Sequence, residues 1–131
     1  MRSVADTRLL LVFQFPPSLE VRNVLSRLLQ EELARGMLLP SIVITEYVKI
    51  AGAKVGLEAA LTHIGELESR GAETVDIDRE ISLEGGRLLI SSPRVPIADA
   101  LIAAVYRTRR ASYVITDDSH YAQLGVKTRW I

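Results

Sequence analysis

Short runs of strand-forming residues recur along this chain, most of them separated from the next by helical stretches far too long to be hairpin turns. The runs are Arg2–Ala5, Glu73–Ile77, Tyr113–Thr116 and Lys127–Trp130. Antiparallel neighbours can be joined by a few residues, whereas parallel neighbours need a crossover of a dozen or more, usually helical. The spacing therefore predicts an α/β fold, a three-layer α/β/α sandwich whose central sheet is mostly parallel and covered on both faces.

The helices announce themselves by caps and stripes. Ser18 is a good N-cap for a helix running to about Arg35, with Val21, Val24, Leu25, Leu28, Leu29 and Leu33 on one stripe and Gly36 as terminator. Before it, Leu9–Phe15 is apolar enough for a buried helix and Pro16–Pro17 stop it. Signals conflict at Ile42–Thr45, four β-branched residues that favour a strand by propensity. Helix from Ser41 to about Ala53 is preferred, because Ser41 suits a cap and Tyr47, Val48, Ile50 and Ala51 carry the pattern past strand length. Further helices are expected over Gly56–Arg70, from an Asp78 cap to about Ile90, and from Ile97 to about Arg110 after Pro96. No repeat or linker divides the chain, so residues 1–131 are expected to form one domain.

Composition narrows the function. With 48% hydrophobic and 24% charged residues the chain fits a soluble globular protein rather than a disordered one. The absence of cysteine excludes disulfides and thiolate zinc sites. A net charge of +0 gives no field to steer the whole molecule onto nucleic acid, so any such contact must be local. Leu9–Phe13 is far short of the roughly 20 residues that span a bilayer, and Asp6 interrupts the place where a signal peptide's apolar region would begin. The expectation is a cytoplasmic protein without a membrane partner.

Four carboxylates sit at predicted element ends: Asp6 after the first strand, Glu46 early in the Ser41 helix, Asp99 in the first turn of the Ile97 helix and Asp118 after the Tyr113 strand. In a parallel α/β sheet such positions converge on the rim beyond the carboxyl ends of the strands. Two carboxylates about 4 Å apart repel by roughly 4 kcal/mol at an effective dielectric near 20, a cost that a divalent cation removes. Oxygen donors favour Mg²⁺ or Mn²⁺ over zinc or copper. Such an ion can polarise a scissile phosphate and lower the pKa of a bound water, which points to phosphodiester hydrolysis without a covalent enzyme intermediate. Position alone is equally that of ordinary capping and surface carboxylates, which are common at helix starts.

Four motifs sharpen the reading: Ala5-Asp6-Thr7 after the short strand, Ile44–Val48 (ITEYV), Ala98–Ala104 (ADALIAA) and Ile115–Tyr121 (ITDDSHY). In their order and spacing the chain resembles the PIN-domain family of metal-dependent ribonucleases, especially its small VapC-type toxin members. The resemblance implies metal ligands at Asp6, Glu46, Asp99 and Asp118, with the Thr7 and Thr116 hydroxyls supporting the site. Asp117 fills a slot that varies in the family and is the weaker candidate for coordination. The resemblance further implies an RNA substrate, a homodimer, and a small antitoxin protein whose peptide lies across the acidic groove. Two departures stand out. Arg8 replaces a small polar residue and is expected to pair with Asp6 or to contact phosphate, and Gly85–Gly86 replace alanines in a helix, which permits close helix packing.

Other residues carry less. Lys49, one turn after Glu46, could contact an RNA phosphate or simply be solvated. Arg107, Arg109 and Arg110 end a helix, where cations are favoured whatever the ligand. His120 as a general base is disfavoured, since the metal mechanism needs none, and His63 has no partner evident in sequence. Tyr47, Tyr106, Tyr113 and Tyr121 read as core or boundary residues. The apolar stripe on the Ser18 helix, with Leu9–Phe13, is read equally as core or as an interface. A PIN-like module that binds RNA or protein without cutting is the alternative function, with Arg8 its main support. A response-regulator-like domain is disfavoured by the lack of a suitably placed lysine after the last strand.

Overall fold

The computed structural model describes residues 2–131. Five strands, β1 (Ser3–Ala5), β2 (Met37–Pro40), β3 (Ala72–Val75), β4 (Val114–Ile115) and β5 (Thr128–Arg129), form one sheet in the order β3-β2-β1-β4-β5. Every pairing is parallel. Seven helices fill the connections: α1 (Thr7–Gln14), α2 (Leu19–Arg35), α3 (Ser41–Val55), α4 (Leu57–Ser69), α5 (Arg79–Ser91), α6 (Ile97–Thr108) and α7 (His120–Gln123). The expected α/β/α fold is what the chain adopts.

One strand escapes the sequence reading. Met37–Pro40, which falls between two expected helices, is β2, and all four of its residues are buried. Parallel strands buried on both faces show no alternation, and Met-Leu-Leu-Pro carries no β-branched residue. Gly36 makes the turn into it at φ +107°, a region L side chains rarely enter, and a β-carbon there would lie 3.0 Å from Arg2 Cγ.

The conflict at Ile42–Thr45 resolves as helix, because Val43 and Tyr47 of α3 are fully buried one turn apart and tertiary packing overrides local propensity. The cap differs from expectation. Pro40 occupies the N-cap, and the Ser41 hydroxyl instead accepts the Ile77 backbone N–H at 3.1 Å, tying α3 to the chain leaving β3. The predicted caps Ser18 and Asp78 do accept from Val21 and Ile81.

Leu25, Leu28, Leu29 and Leu33 of the α2 stripe are buried, whereas Val24 is exposed, so the stripe is chiefly core. Leu11, Val12, Phe15 and Val21 pack at its margin. Gly85 of α5 lets α6 approach so closely that a β-carbon at that position would come 2.9 Å from Leu101 Cδ2, which is the close packing expected of the glycine pair. Glu32, fully buried in α2, accepts from the Tyr113 hydroxyl at 2.5 Å and from the Arg129 guanidinium, linking α2 to the β4–β5 side of the sheet. No local pattern in sequence marks that buried contact.

Candidate metal centre

The strand order reverses direction beside β1: successive crossovers build outward through β2 to β3, then the chain returns to the other side of β1 as β4. Parallel strands diverging at such a point leave a crevice at their carboxyl ends. Ala5 is in register with Ile115, so the next residues, Asp6 and Thr116, face one another across it. The Thr116 hydroxyl donates to Asp6 Oδ2 at 2.5 Å and accepts the Asp118 N–H at 3.0 Å. Asp118 is thus hung from the same hydroxyl that holds Asp6.

Asp6 caps α1, its Oδ1 accepting the Thr7 N–H at 2.8 Å and the Tyr121 hydroxyl at 3.2 Å. The Thr7 hydroxyl donates to Glu46 Oε1 at 2.6 Å, bringing α3 to the rim. This is where the overlooked β2 matters, because α3 leaves the carboxyl end of the strand next to β1. Asp99 enters from the first turn of α6 and is buried. Among the described residues, donor atoms of Asp99, Asp118 and His120 lie within 4.8 Å of one another. Both supporting threonines therefore touch carboxylates, and the four acidic residues share one rim.

Some expectations fail. Arg8 does not pair with Asp6; it reaches 3.0 Å from Asp117 Oδ1, so Asp117 is engaged by a guanidinium at the edge of the cluster. Asp6 is sealed beneath Thr116 and Tyr121, whereas Asp117 is solvent-facing. His63 has a partner after all, the buried Tyr47 hydroxyl at 2.6 Å. Lys49 is exposed one turn beyond Glu46. Arg107 and Arg109 pair with Glu84 and Asp78, in keeping with structural roles.

Two residues of the rim were undervalued in sequence. Tyr121 is core, as expected, yet its hydroxyl reaches Asp6. His120 places Nδ1 3.0 Å from both Asp99 Oδ2 and Asp118 Oδ1. The signal was the Asp-x-His spacing, which lets the His120 backbone N–H fasten Asp118 Oδ1 at 2.9 Å while the ring turns inward.

The electrostatics are those of anions crowded without enough counter-charge. Burial pushes the Asp6 carboxyl up to about 6, despite hydrogen bonds from Thr116, Thr7 and Tyr121 that favour its charged form. Burial, then the neighbouring charges of Asp118 and Asp6, push Asp99 up to about 7. The Asp118 charge draws the His120 imidazole upward, and burial raises the Tyr121 phenol. A divalent cation would relieve the crowding of these carboxylates, and carboxylate oxygens at the mouth of a crevice are the donors Mg²⁺ or Mn²⁺ takes.

The PIN domain family model matches residues 5–127, which include all four carboxylates. This chain belongs to the PIN-domain family. PIN domains are in general nucleases. Among solved structures the fold resembles DNA-bound VapBC from Salmonella typhimurium, at TM-score 0.76 and 19% identity, covering 99% of this chain and 98% of that one. It resembles Mycobacterium tuberculosis VapC20, a toxin that cleaves the sarcin-ricin loop, at TM-score 0.78 and 13% identity, covering 95% of each chain. It also resembles VapBC2 from Rickettsia felis bound to a promoter DNA fragment, at TM-score 0.76 and 17% identity, with 100% and 99% covered. No curated protein matches the chain. At these identities the structural likeness speaks for the PIN fold. Among the described residues, no helix is long and apolar enough to cross a membrane.

Proposed function

We propose that this PIN domain is a Mg²⁺- or Mn²⁺-dependent endoribonuclease acting in the cytoplasm as the toxin of a toxin–antitoxin pair. The observation that carries the reading is the meeting of Asp6, Asp99 and Asp118 at the β1–β4 crevice, with Glu46 joined to them through Thr7. A divalent cation bound there would polarise the scissile phosphate and acidify a water. Asp6, Asp99 and Asp118 would hold that cation. Glu46, fixed by the Thr7 hydroxyl, would orient the attacking water, and the Thr116 hydroxyl keeps Asp6 and Asp118 in register. Arg8 and Lys49, both exposed beside the rim, supply local positive charge for phosphate, as a chain of zero net charge requires.

The solved neighbours from Salmonella typhimurium and Rickettsia felis are VapBC assemblies on DNA. A small antitoxin laying a peptide across the acidic groove, and a homodimer, are the corresponding partners proposed here. Half-buried Leu11, Val12 and Phe15 offer apolar surface for them. The non-cutting alternative loses its main support, since Arg8 reaches Asp117 rather than Asp6.

Cleavage of structured RNA by the purified protein, with Mn²⁺ or Mg²⁺ and with a chelator, tests the reading. Asp99→Asn should lower cleavage at least about a hundredfold, by the scale on which ligand-sphere changes act. Equal activity in that variant would remove Asp99 from the mechanism. Calorimetry showing no Mn²⁺ uptake at millimolar concentration would favour the binding module.

A further inference from the structure

We propose that His120 is itself a metal donor, its Nδ1 completing a mixed nitrogen–oxygen set with Asp99 and Asp118 that inclines the centre toward Mn²⁺ and away from Mg²⁺. The inference rests on the metal-site reading above and adds to it a ligand and a preference. Three observations lead there.

The first is spacing. His120 Nδ1 stands 3.0 Å from Asp99 Oδ2 and 3.0 Å from Asp118 Oδ1. Neighbouring donors on an octahedron with bonds of about 2.1 Å lie about 3.0 Å apart. The second is that one ring N–H cannot serve both contacts at once. A single N–H points one way at a time; the contact with Asp99 meets hydrogen-bond geometry, and the approach to Asp118 is equally short. Three donor atoms drawn round one point, with one proton among them, form a set suited to a cation. The third is how the ring is held. Asp118 Oδ1 accepts the His120 backbone N–H at 2.9 Å, so the residue that offers the carboxylate also aims the imidazole. The His120 side chain is 44% exposed, which leaves Nε2 free to carry the proton and meet water while Nδ1 faces inward.

Imidazole is a borderline base. Mg²⁺ takes oxygen donors and sheds water reluctantly, whereas first-row transition ions accept nitrogen readily. One nitrogen among carboxylates therefore favours Mn²⁺ in relative terms. A centre of oxygens alone would not make that distinction.

The test uses untagged full-length protein loaded with Mn²⁺ and read by pulsed electron paramagnetic resonance, with calorimetric titration of Mn²⁺ and Mg²⁺ alongside. The wild type should show coupling of the manganese spin to an imidazole nitrogen. The only other histidine, His63, is hydrogen-bonded to Tyr47 and serves as an internal control through His63→Ala, which should keep the coupling. His120→Ala should abolish it and weaken Mn²⁺ binding by about tenfold or more, with a smaller loss for Mg²⁺. Manganese bound without nitrogen coupling would overturn the assignment while leaving the carboxylate site standing. Tighter Mn²⁺ binding in His120→Ala would also overturn it, since the ring would then be a competing cation. Wild-type protein that binds no Mn²⁺ would overturn this inference and the metal-dependent reading together.

Discussion

Replacing Asp99 by asparagine should make the metal-free protein more stable while disarming it. Asp99 is buried in the first turn of α6, and its carboxyl is pushed from 3.8 to about 7 by burial and by the charges of Asp118 and Asp6. Were the group sealed from water, a rise of about three pH units would be worth about 4 kcal/mol against the ionised form. The side chain lies at an open rim, and solvent screening together with the lost attraction to His120 reduces this to about 1–2 kcal/mol. Asparagine keeps the shape and an acceptor for His120 but carries no charge. In chelator above neutral pH, Asp99→Asn should therefore melt about 4–8 °C above wild type, on the usual scale for a domain of this size. Added Mn²⁺ should raise the wild-type melting temperature by mass action and leave the variant almost unmoved, closing or inverting the gap. Scanning fluorimetry or circular dichroism reads both. A metal-free variant that melts at or below wild type would refute the reasoning, because the carboxylates would then not be repelling one another.

Other expectations follow from the same structure. Asp6 has a folded pKa of about 6 against an ordinary 3.8, so the stability associated with its protonated form is fully present below about pH 4 and lost as pH rises through about 6, by about 3 kcal/mol in all. Chemical denaturation of chelated protein at a series of pH values should show that decline, and Asp6→Asn should flatten it. Gly85→Ala drives a methyl against Leu101 and should cost about 1–3 kcal/mol, whereas Gly86→Ala, with open space around it, should gain up to about 1 kcal/mol from helix propensity. Urea melts of the pair distinguish packing from propensity. Arg129→Met leaves the buried Glu32 carboxylate with only Tyr113 and the more distant Arg35, and should destabilise by about 2–4 kcal/mol; equal stability would show that the Arg129 contact does not hold α2 to the sheet. Thr116→Val should weaken both cleavage and Mn²⁺ affinity by about tenfold or more, with Thr116→Ser restoring them, because only the hydroxyl joins Asp6 to Asp118.

The sequence was legible where local rules operate. Ser18 and Asp78 cap the helices they were expected to cap, and Asp6, Glu46, Asp99 and Asp118 sit near element ends, so a topology of parallel strands sufficed to gather them. It was silent where long-range packing decides. β2 has neither alternation nor β-branched residues and is recognisable only through its neighbours β1 and β3. Ser41 left its own helix cap for a backbone amide 36 residues away, and Arg8 chose a carboxylate 109 residues away over the nearer Asp6. Local sequence carries no sign of His120's place between two aspartates, which depends on how α6 and the segment after β4 are brought together.

The all-parallel sheet also sorts the protein's two rims by tolerance. Asp6, Glu46, Asp99 and Asp118 gather where strands finish, while the turns that start β2, β3 and β4, at Gly36, Gly71 and Arg110–Ser112, lie along the far edge. Inserted loops, spectroscopic labels or surface anchors grafted onto that far edge would leave the carboxylates untouched, giving an experimenter a handle on the molecule remote from its chemistry.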